Sequence, residues 1–199
     1  MSYILQIIMV SFVAVFAENT IFARALGTST LITVARSRKN ILGFGICVTY
    51  ITAVTGALCY FIDKYLNGSE SNFAYIVRPL IYIITLGLVY VVTLLCLWKL
   101  LYRIFGRIKK YVHISAFNCA VLGAMFLNSK YCTTLAEYIF HGIGIGLGFV
   151  FAVYMVVIVY DKLYSKEVPY CFRGYPLLLI YIGILSMAFY GLMNYQLTY

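Results

Sequence analysis

Cys119 and the asparagine before it are the residues of this chain that point most directly to chemistry. They lie in an apolar segment, with Ser115 before them and Gly123 after them. A thiolate can ligate a metal, and hydrocarbon offers an asparagine no water, so Asn118 must bond within the protein, line a cavity or hold a ligand. The competing interpretation is packing. On one continuous helix, Ser115, Cys119 and Gly123 would form a stripe of small residues.

Glu18 is the second candidate, because it is the acidic residue placed well inside an apolar run. An ionisable side chain within a membrane is costly, so it indicates an ion or proton site by default. Together with Asn19, Glu18 forms a candidate ion path. Glu18 could equally pair with Arg24, since long basic side chains near a helix end reach back along it. The sequence leaves these two interpretations open.

Glycines follow His141 at alternate positions from Gly142 to Gly148. The run resembles a phosphate-binding loop, but the residue three after Gly144 is Leu147 and no strand is predicted before it. Glycines four residues apart on a helix instead predict two interleaved small-residue motifs for helix packing. His141, at the predicted outer end of this helix, is expected at the membrane interface and not on a metal.

The rest of the sequence shows no familiar catalytic constellation. It has no serine, histidine and acid set, no pair of carboxylates for a cleft and no metal-spaced cluster. The cysteines are scattered without zinc or redox spacing, so a disulfide framework is not expected. They are Cys47, Cys59, Cys96, Cys119, Cys132 and Cys171. Any catalysis must be redox or transport chemistry inside a membrane, assembled with partners.

Composition determines the elements that must position these residues. Of 199 residues, 64% are hydrophobic and 11% are charged, which predicts an all-α integral membrane protein. Six apolar runs are each near the ~20 residues that span a bilayer. They predict transmembrane helices over residues 3–24, 41–62, 73–98, 112–128, 134–160 and 175–197. The first run lacks a basic leading region and a small-residue cleavage site, so we expect it to be retained.

The net charge of +9 is distributed unevenly among the loops. The loops after predicted spans one, three and five are basic, whereas charges cancel after spans two and four. By the positive-inside rule, both termini then lie outside and the basic loops lie in the cytoplasm. The charge therefore predicts topology and does not indicate nucleic acid as a partner. The basic residues are Arg24, Arg36, Arg38 and Lys39, then Lys99, Arg103, Arg107, Lys109 and Lys110, then Lys162, Lys166 and Arg173.

Six spans with both termini on one side divide naturally after the third span. We expect one three-helix repeat over residues 1–110 and a second, inverted repeat over residues 111–199, with spans one and four interrupted. Such repeats place a functional site near the middle of the membrane. Weak internal similarity supports the division, since an asparagine precedes a Leu-Gly pair in both segments: Asn19 before Leu26-Gly27, and Asn118 before Leu122-Gly123.

Short motifs spread in order over nearly the whole chain resemble a known family. The chain resembles the A subunit of the Rnf complex most closely, and the related E subunit of the sodium-pumping NADH:quinone reductase fits less well. The motifs are Asn19 with Leu26-Gly27, Asn118-Cys-Ala-Val-Leu-Gly123 with Leu127-Asn128, Val168-Pro169 with Phe172-Arg-Gly174, and Leu185-Ser-Met-Ala-Phe189 with Gly191.

This resemblance implies a multi-pass subunit of a prokaryotic inner (cytoplasmic) membrane, paired with a homologous subunit of opposite orientation, the E-type subunit in Rnf. In that family each of the two contributes two cysteines, one from each interrupted helix, and the thiolates hold a 2Fe-2S cluster between the subunits. The cluster relays electrons across the membrane. The complex couples electron transfer between ferredoxin and NAD to sodium or proton movement, so the subunit belongs to an oxidoreductase without catalysing a reaction alone.

Cys119 stands at the family's second cysteine position, and the resemblance implies that Asn118, Gly27 and Gly123 lie around the ligands. The first position departs from the pattern, because Ser29 stands where the family has a cysteine. A serine hydroxyl is far less acidic than a thiol, and its harder oxygen suits an iron-sulfur cluster less well.

The departure at Ser29 leaves several interpretations open. Ser29 could ligate as an alkoxide, a neighbouring group could replace it, or the cluster could be absent. The functions to be distinguished are therefore an electron-relaying subunit, a scaffold subunit of the same family without a cluster, and a stand-alone secondary transporter with Glu18 as its ion site.

Overall fold

The computed structural model describes residues 3–37, 41–66, 72–100, 105–165 and 168–196, and every regular element within those ranges is a helix. This confirms the all-α prediction for the described part of the chain. The helices are α1 (Tyr3–Val15), α2 (Thr28–Ser37), α3 (Ile41–Leu66), α4 (Asn72–Leu100), α5 (Phe105–Ala116), α6 (Cys119–Tyr131), α7 (Leu135–Tyr160), a short 3-10 turn (Lys162–Tyr164) and α8 (Tyr175–Gln196).

Several helices are long and apolar enough to cross a membrane. Within the described ranges these are Ile41–Leu66, Ile76–Leu100 and Leu135–Tyr164. The pair Ile108–Ala116 and Cys119–Tyr131 passes the same test as one bent span, and α8 contains a shorter apolar stretch, Tyr175–Gly191. Length and composition therefore give three spans, or four with the bent pair, where the sequence predicts six.

The first and fourth predicted spans differ from the helices of the structure. The first, predicted over residues 3–24, ends as α1 at Val15, and α2 begins only at Thr28. The fourth, predicted over residues 112–128, forms the separate helices α5 and α6. The predicted helix bounds were wrong here because the hydrophobic residues continue through both breaks, so hydropathy alone does not mark where the backbone leaves the helix.

Helix α7 occupies the centre of the fold and packs against α1, α2 and α3. In the most apolar stretch of α7, 50% of the residues are buried inside the protein. The corresponding share for α4 is 22%. Exposed apolar side chains such as Ile76, Leu80 and Ile84 cover α4. In a membrane these side chains face lipid or another protein chain, because lipid tails are as apolar as they are.

The glycines of α7 make its close packing possible. Gly142 and Gly146 face α3, and Gly144 and Gly148 face α1. A Cβ atom added to Gly142 would lie 2.6 Å from the carbonyl oxygen of Thr52, so no larger residue fits without a shift. The prediction of two interleaved packing motifs is confirmed, and each motif contacts a different helix.

Helix α2, which follows the first break, packs into the same buried core as α7. Leu31 and Ala35 are fully buried beside Phe149 of α7. In the segment before α2, the ring of Phe22 stacks on Phe189 of α8 with centroids 4.7 Å apart. These contacts hold the short α2 in place although it is only 10 residues long.

Candidate functional site at the two interrupted helices

The second interruption separates α5 from α6 and bends the chain by 51°. Asn118 is the N-cap of α6, with an extended backbone (φ −103°, ψ 127°). Its Oδ1 accepts a hydrogen bond from the backbone N–H of Ala120 at 3.0 Å. An asparagine in this position satisfies a free amide of the first helical turn, so the helix restarts at Cys119. Ser115, Cys119 and Gly123 consequently do not form the continuous helical stripe that the packing interpretation requires.

The first interruption is longer and is organised by Asn19, which is fully buried. Its Nδ2 donates to the carbonyl oxygens of Val15 at 3.0 Å and Gly148 at 2.9 Å. Its Oδ1 accepts from the backbone N–H of Ile21 at 3.1 Å and more weakly from that of Phe22. Gly148 lies in the middle of the 26-residue α7. The break is therefore tied to the helix at about half its length.

A left-handed turn leads from the first interruption into α2. Ala25 has φ 56° and Gly27 has φ 82°. The hydroxyl of Thr28 donates to the carbonyl oxygen of Ala25 at 2.8 Å. Glycine adopts a positive φ without strain, whereas alanine there is uncommon and costs free energy that the surrounding packing must offset.

The two interruptions pack against each other. A Cβ atom on Gly27 would lie 2.6 Å from Asn118 Oδ1 and 3.1 Å from the Cβ of Ala120. A Cβ atom on Gly123 would collide with the side chain of Leu26. The two Leu-Gly pairs that share the internal similarity therefore meet in the fold, and each glycine makes room for the other segment.

Cys119 is the first residue of α6 and is exposed. The N-terminus of a helix carries a partial positive charge, which favours an anionic ligand or a thiolate. Cys119 lines a cavity of about 290 Å³ between the two interruptions. The other lining residues are Arg24, Leu26, Leu122, Gly123, Phe126 and Leu127.

Ser29 is the second residue of α2 and is also exposed. Its carbonyl oxygen accepts from the hydroxyl of Thr33 at 2.9 Å. Ser29 and Cys119 thus hold equivalent places, each in the first turn of a short helix that follows an interruption. Ser29 does not line the cavity beside Cys119.

Several buried polar atoms near the interruptions have no hydrogen-bond partner among the described residues. They are the amide nitrogen Nδ2 of Asn118 and the hydroxyl oxygens of Ser115 and Thr20. Buried polar groups are nearly always satisfied, so unpartnered ones point to a water, a ligand or another chain. Two of these atoms flank the second interruption.

The other cysteines of the helical core lie apart from this site. Cys59 belongs to the buried cluster around Tyr82, and Cys47 lines a different cavity with Cys96. In the part of the chain that the structure describes, no three His, Cys, Asp or Glu side chains come together in an arrangement that could hold a metal.

A buried histidine lies near the first interruption, and its contacts were not predicted from the sequence. His141 is 2% exposed and packs inside the protein. Its Nε2 lies 4.0 Å from a carboxylate oxygen of Glu18, and its Nδ1 lies 2.5 Å from Oδ1 of Asn128. Glu18 thus faces both His141 and the more distant charge of Arg24. The structure brings together residues whose separation in sequence gave no signal.

Asp63 is a second buried carboxylate that the sequence analysis treated as a loop charge. The predicted second span ended at residue 62, but α3 continues to Leu66 and leaves Asp63 only 2% exposed. Its two oxygens accept hydrogen bonds from Tyr82 at 2.5 Å and Tyr138 at 2.9 Å, and Arg78 Nε lies 3.8 Å away. Since its negative charge is matched by hydroxyls and a guanidinium, we assign Asp63 to the cohesion of α3, α4 and α7.

The fold and the paired interruptions define a multi-pass helical membrane protein. Residues 7–195 match the family model described as Rnf-Nqr subunit, membrane protein. The chain belongs to this family, which confirms the resemblance found in its motifs.

Curated relatives are similar over nearly the full length. The A subunit of the Na(+)-translocating ferredoxin:NAD(+) oxidoreductase complex of Acetobacterium woodii is 26% identical over 193 residues, covering 97% of this chain and 100% of that protein. The A subunits of the ion-translocating oxidoreductase complexes of Actinobacillus pleuropneumoniae and Pasteurella multocida are each 28% identical. In both cases the alignment covers 95% of each chain.

Proposed function

We propose that this chain is the A-type membrane subunit of an Rnf-type ion-translocating electron-transport complex. Relatives aligned over almost their whole length are named as A subunits of ion-translocating oxidoreductase complexes, and the family model is that of an Rnf-Nqr subunit. The structural observation that carries the proposal is the contact between the two interruptions, which places Cys119 at the start of α6 beside the turn that leads into α2. In this role the chain is a subunit of a ferredoxin:NAD oxidoreductase and does not catalyse the reaction alone.

Cys119 fits a 2Fe-2S cluster that is shared with another chain. A cluster of this kind takes four ligands, and its ligands are preferably thiolates. The Cys119 residue is exposed at a helix N-terminus, where a second protein chain can reach it and where negative charge is stabilised. When bound, the cluster would carry one electron between the two sides of the membrane.

The partner in this proposal is a homologous membrane subunit of E type, with reversed orientation, in a prokaryotic inner membrane. It would supply thiolates of its own, and Ser29 would stand at the remaining position. The unpartnered Nδ2 of Asn118 would be a hydrogen-bond donor beside the ligands, and such donors tune the potential of a cluster. Gly27 and Gly123 would keep the two interruptions close together.

The six-span inverted repeat is part of the same proposal. Helices α1 and α2 together would form the first span and α5 and α6 the fourth, so that the interruptions take corresponding positions in residues 1–110 and 111–199. The dividing point near residue 110 lies within α5. Support comes from the tie between Asn19 and the middle of α7, since sites of inverted repeats lie near the middle of the membrane.

The second candidate function is a scaffold subunit of the same complex without a cluster, and Ser29 is the observation that favours it. A stand-alone secondary transporter with Glu18 and Asn19 on its ion path is the third. Copurification with other membrane subunits would argue against the stand-alone transporter.

The experiment that tests the cluster compares iron content and electron paramagnetic resonance of the purified complex before and after Cys119→Ala. We expect the variant to lose about two iron atoms per complex and the corresponding signal. Cys96→Ala is the matched control, because Cys96 is also exposed but lines a different cavity. Unchanged iron and an unchanged signal in Cys119→Ala would remove this residue from any metal site.

A further inference from the structure

Glu18 and His141 are titratable groups that face each other inside the helical core. The carboxylate oxygen Oε2 of Glu18 lies 4.0 Å from Nε2 of His141, and the side chains are 14% and 2% exposed. At that distance the two groups interact electrostatically, and a small rotation of either side chain would bring them within hydrogen-bond distance. Burying two ionised groups in an apolar setting costs free energy. This cost falls when the groups pair their charges or share a proton.

The hydrogen bonds of Asn128 determine which nitrogen of His141 is available. Asn128 Nδ2 donates to the carbonyl oxygen of Tyr138 at 3.4 Å, so its Oδ1 points to His141 Nδ1 at 2.5 Å. An amide oxygen can only accept, and therefore Nδ1 carries the hydrogen. This leaves the lone pair of Nε2 directed toward Glu18. The pair then has one position for an additional proton, on Nε2 or on the carboxylate.

The groups around the pair provide a route toward the surface. The Tyr131 hydroxyl interacts with the carboxylate of Glu18, and the guanidinium of Arg24 donates to the same hydroxyl at 3.4 Å. Lys130 adds a second positive charge from the end of α6. Tyr131 is 42% exposed and Arg24 is also exposed, so the carboxylate is one hydroxyl away from the exterior.

Glu18 lies within the first interruption, so the Glu18–His141 pair is part of that region. Glu18 precedes Asn19, whose amide holds the break to Gly148 of α7. A change of charge at Glu18 therefore acts one residue from the hydrogen bonds that define the interruption. We propose that Glu18 and His141 form a binding site for one proton, positioned between the surface at Tyr131 and the first interrupted helix.

The donor set favours a proton over a sodium ion. A hard cation such as sodium needs several oxygen ligands at once, by analogy with the other hard cations. Here the carboxylate of Glu18 faces an imidazole nitrogen, and the nearby amide oxygen of Asn128 is already engaged by His141. The relation of this site to ion movement rests on the proposed function.

Infrared difference spectroscopy of the purified full-length chain between alkaline and acidic pH tests the site. We expect a protonated-carboxyl band in the wild-type protein that is absent in Glu18→Gln. Asp161→Asn, which changes an exposed carboxylate at the end of α7, is the matched control and should keep the band. If the glutamine variant is not produced, Glu18→Asp should move the frequency of the band. A band that is indifferent to these Glu18 changes overturns the proposal.

His141→Gln tests whether the two groups share the proton. Glutamine can still donate to Asn128 but cannot take up a proton. We expect the pH at which the carboxyl band appears to shift by about one unit or more, because strongly coupled groups titrate as a pair. An unshifted band would show that Glu18 titrates alone and would overturn the shared site.

Exchange of choline chloride for sodium chloride at equal ionic strength distinguishes a proton from a sodium ion. We expect no change in the carboxyl band. Its loss in sodium chloride would show that sodium occupies the carboxylate and would overturn the proton assignment. Since the carboxyl band does not depend on iron, failure of the cluster proposal would leave all three of these measurements interpretable.

Discussion

The first interruption runs over residues 16–27, whereas the second occupies only residues 117–118. In the first, the amide of Asn19 uses both its donor and its acceptor on backbone groups, including one of α7. In the second, Asn118 makes a single capping bond, and its Nδ2 has no partner among the described residues. The amide of Asn19 is thus satisfied within its own chain, although the hydroxyl of Thr20 in the same break has no partner among the described residues, while the amide of Asn118 retains hydrogen-bonding capacity beside an exposed cysteine residue.

This difference indicates a division of roles between two segments that share a motif. The long break carries Glu18 and reaches the surface through Tyr131, so it is suited to ion or proton exchange. The short break carries the thiol at a helix N-terminus, so it is suited to hold a cofactor. Ser29, which follows the long break in α2, offers a hydroxyl where Cys119 offers a thiol, so the two segments also differ in the ligand that they could supply under the proposed function.

Among the substitutions that test the two interruptions, Gly27→Ala is expected to have the largest effect on stability. The added Cβ meets Asn118 Oδ1 in a left-handed backbone, so both interruptions must shift. We expect a destabilisation of about 2–4 kcal/mol from strain and overpacking together. The midpoint temperature of thermal unfolding in detergent should then fall by about 4 °C or more. Gly43→Ala is the control, since a Cβ there meets no atom within 4 Å, and equal losses in both variants would contradict the interlocking of the breaks.

The second largest effect on stability is expected from Asn19→Ala, and comparison with Asn118→Ala distinguishes the roles of the two asparagines. Asn19→Ala removes buried hydrogen bonds and leaves backbone groups of α1 and α7 unsatisfied, which should cost about 2–3 kcal/mol. Asn118→Ala removes a cap, which should cost about 1 kcal/mol. Unfolding midpoints of the two variants, measured in the same detergent, give the ranking. The reverse order would mean that the second break, and not the first, is the better satisfied one.

The smallest effect on stability is expected from Ser29→Cys. The side chain is exchanged at an exposed position, so the free energy of unfolding should change by less than about 0.5 kcal/mol. In an electron-relaying subunit, the new thiolate should increase the iron retained by the purified complex. A scaffold that lacks the rest of the site should gain no iron, and that result would favour the second candidate function.

Much of the fold was predictable because hydropathy and small-residue spacing report helices and their contacts. The glycines of α7 were correctly interpreted as packing motifs, and the interruptions were expected in spans one and four. The helix bounds at Val15 and Asn118 were not predictable, because an asparagine that caps a helix looks the same in sequence as one inside it. The contact of His141 with Glu18 and the burial of Asp63 were not predicted for a related reason, since the partners of a buried polar residue lie far away in sequence.

The glycine contacts of α7 have a consequence for motion. At Gly142 and Gly144 the neighbours are backbone atoms of α3 and α1, so there are few rotamers through which these contacts can relax. Contacts of this kind favour shear of whole helices over local repacking, so any displacement of α1 or α3 relative to α7 is expected to be a small sliding movement.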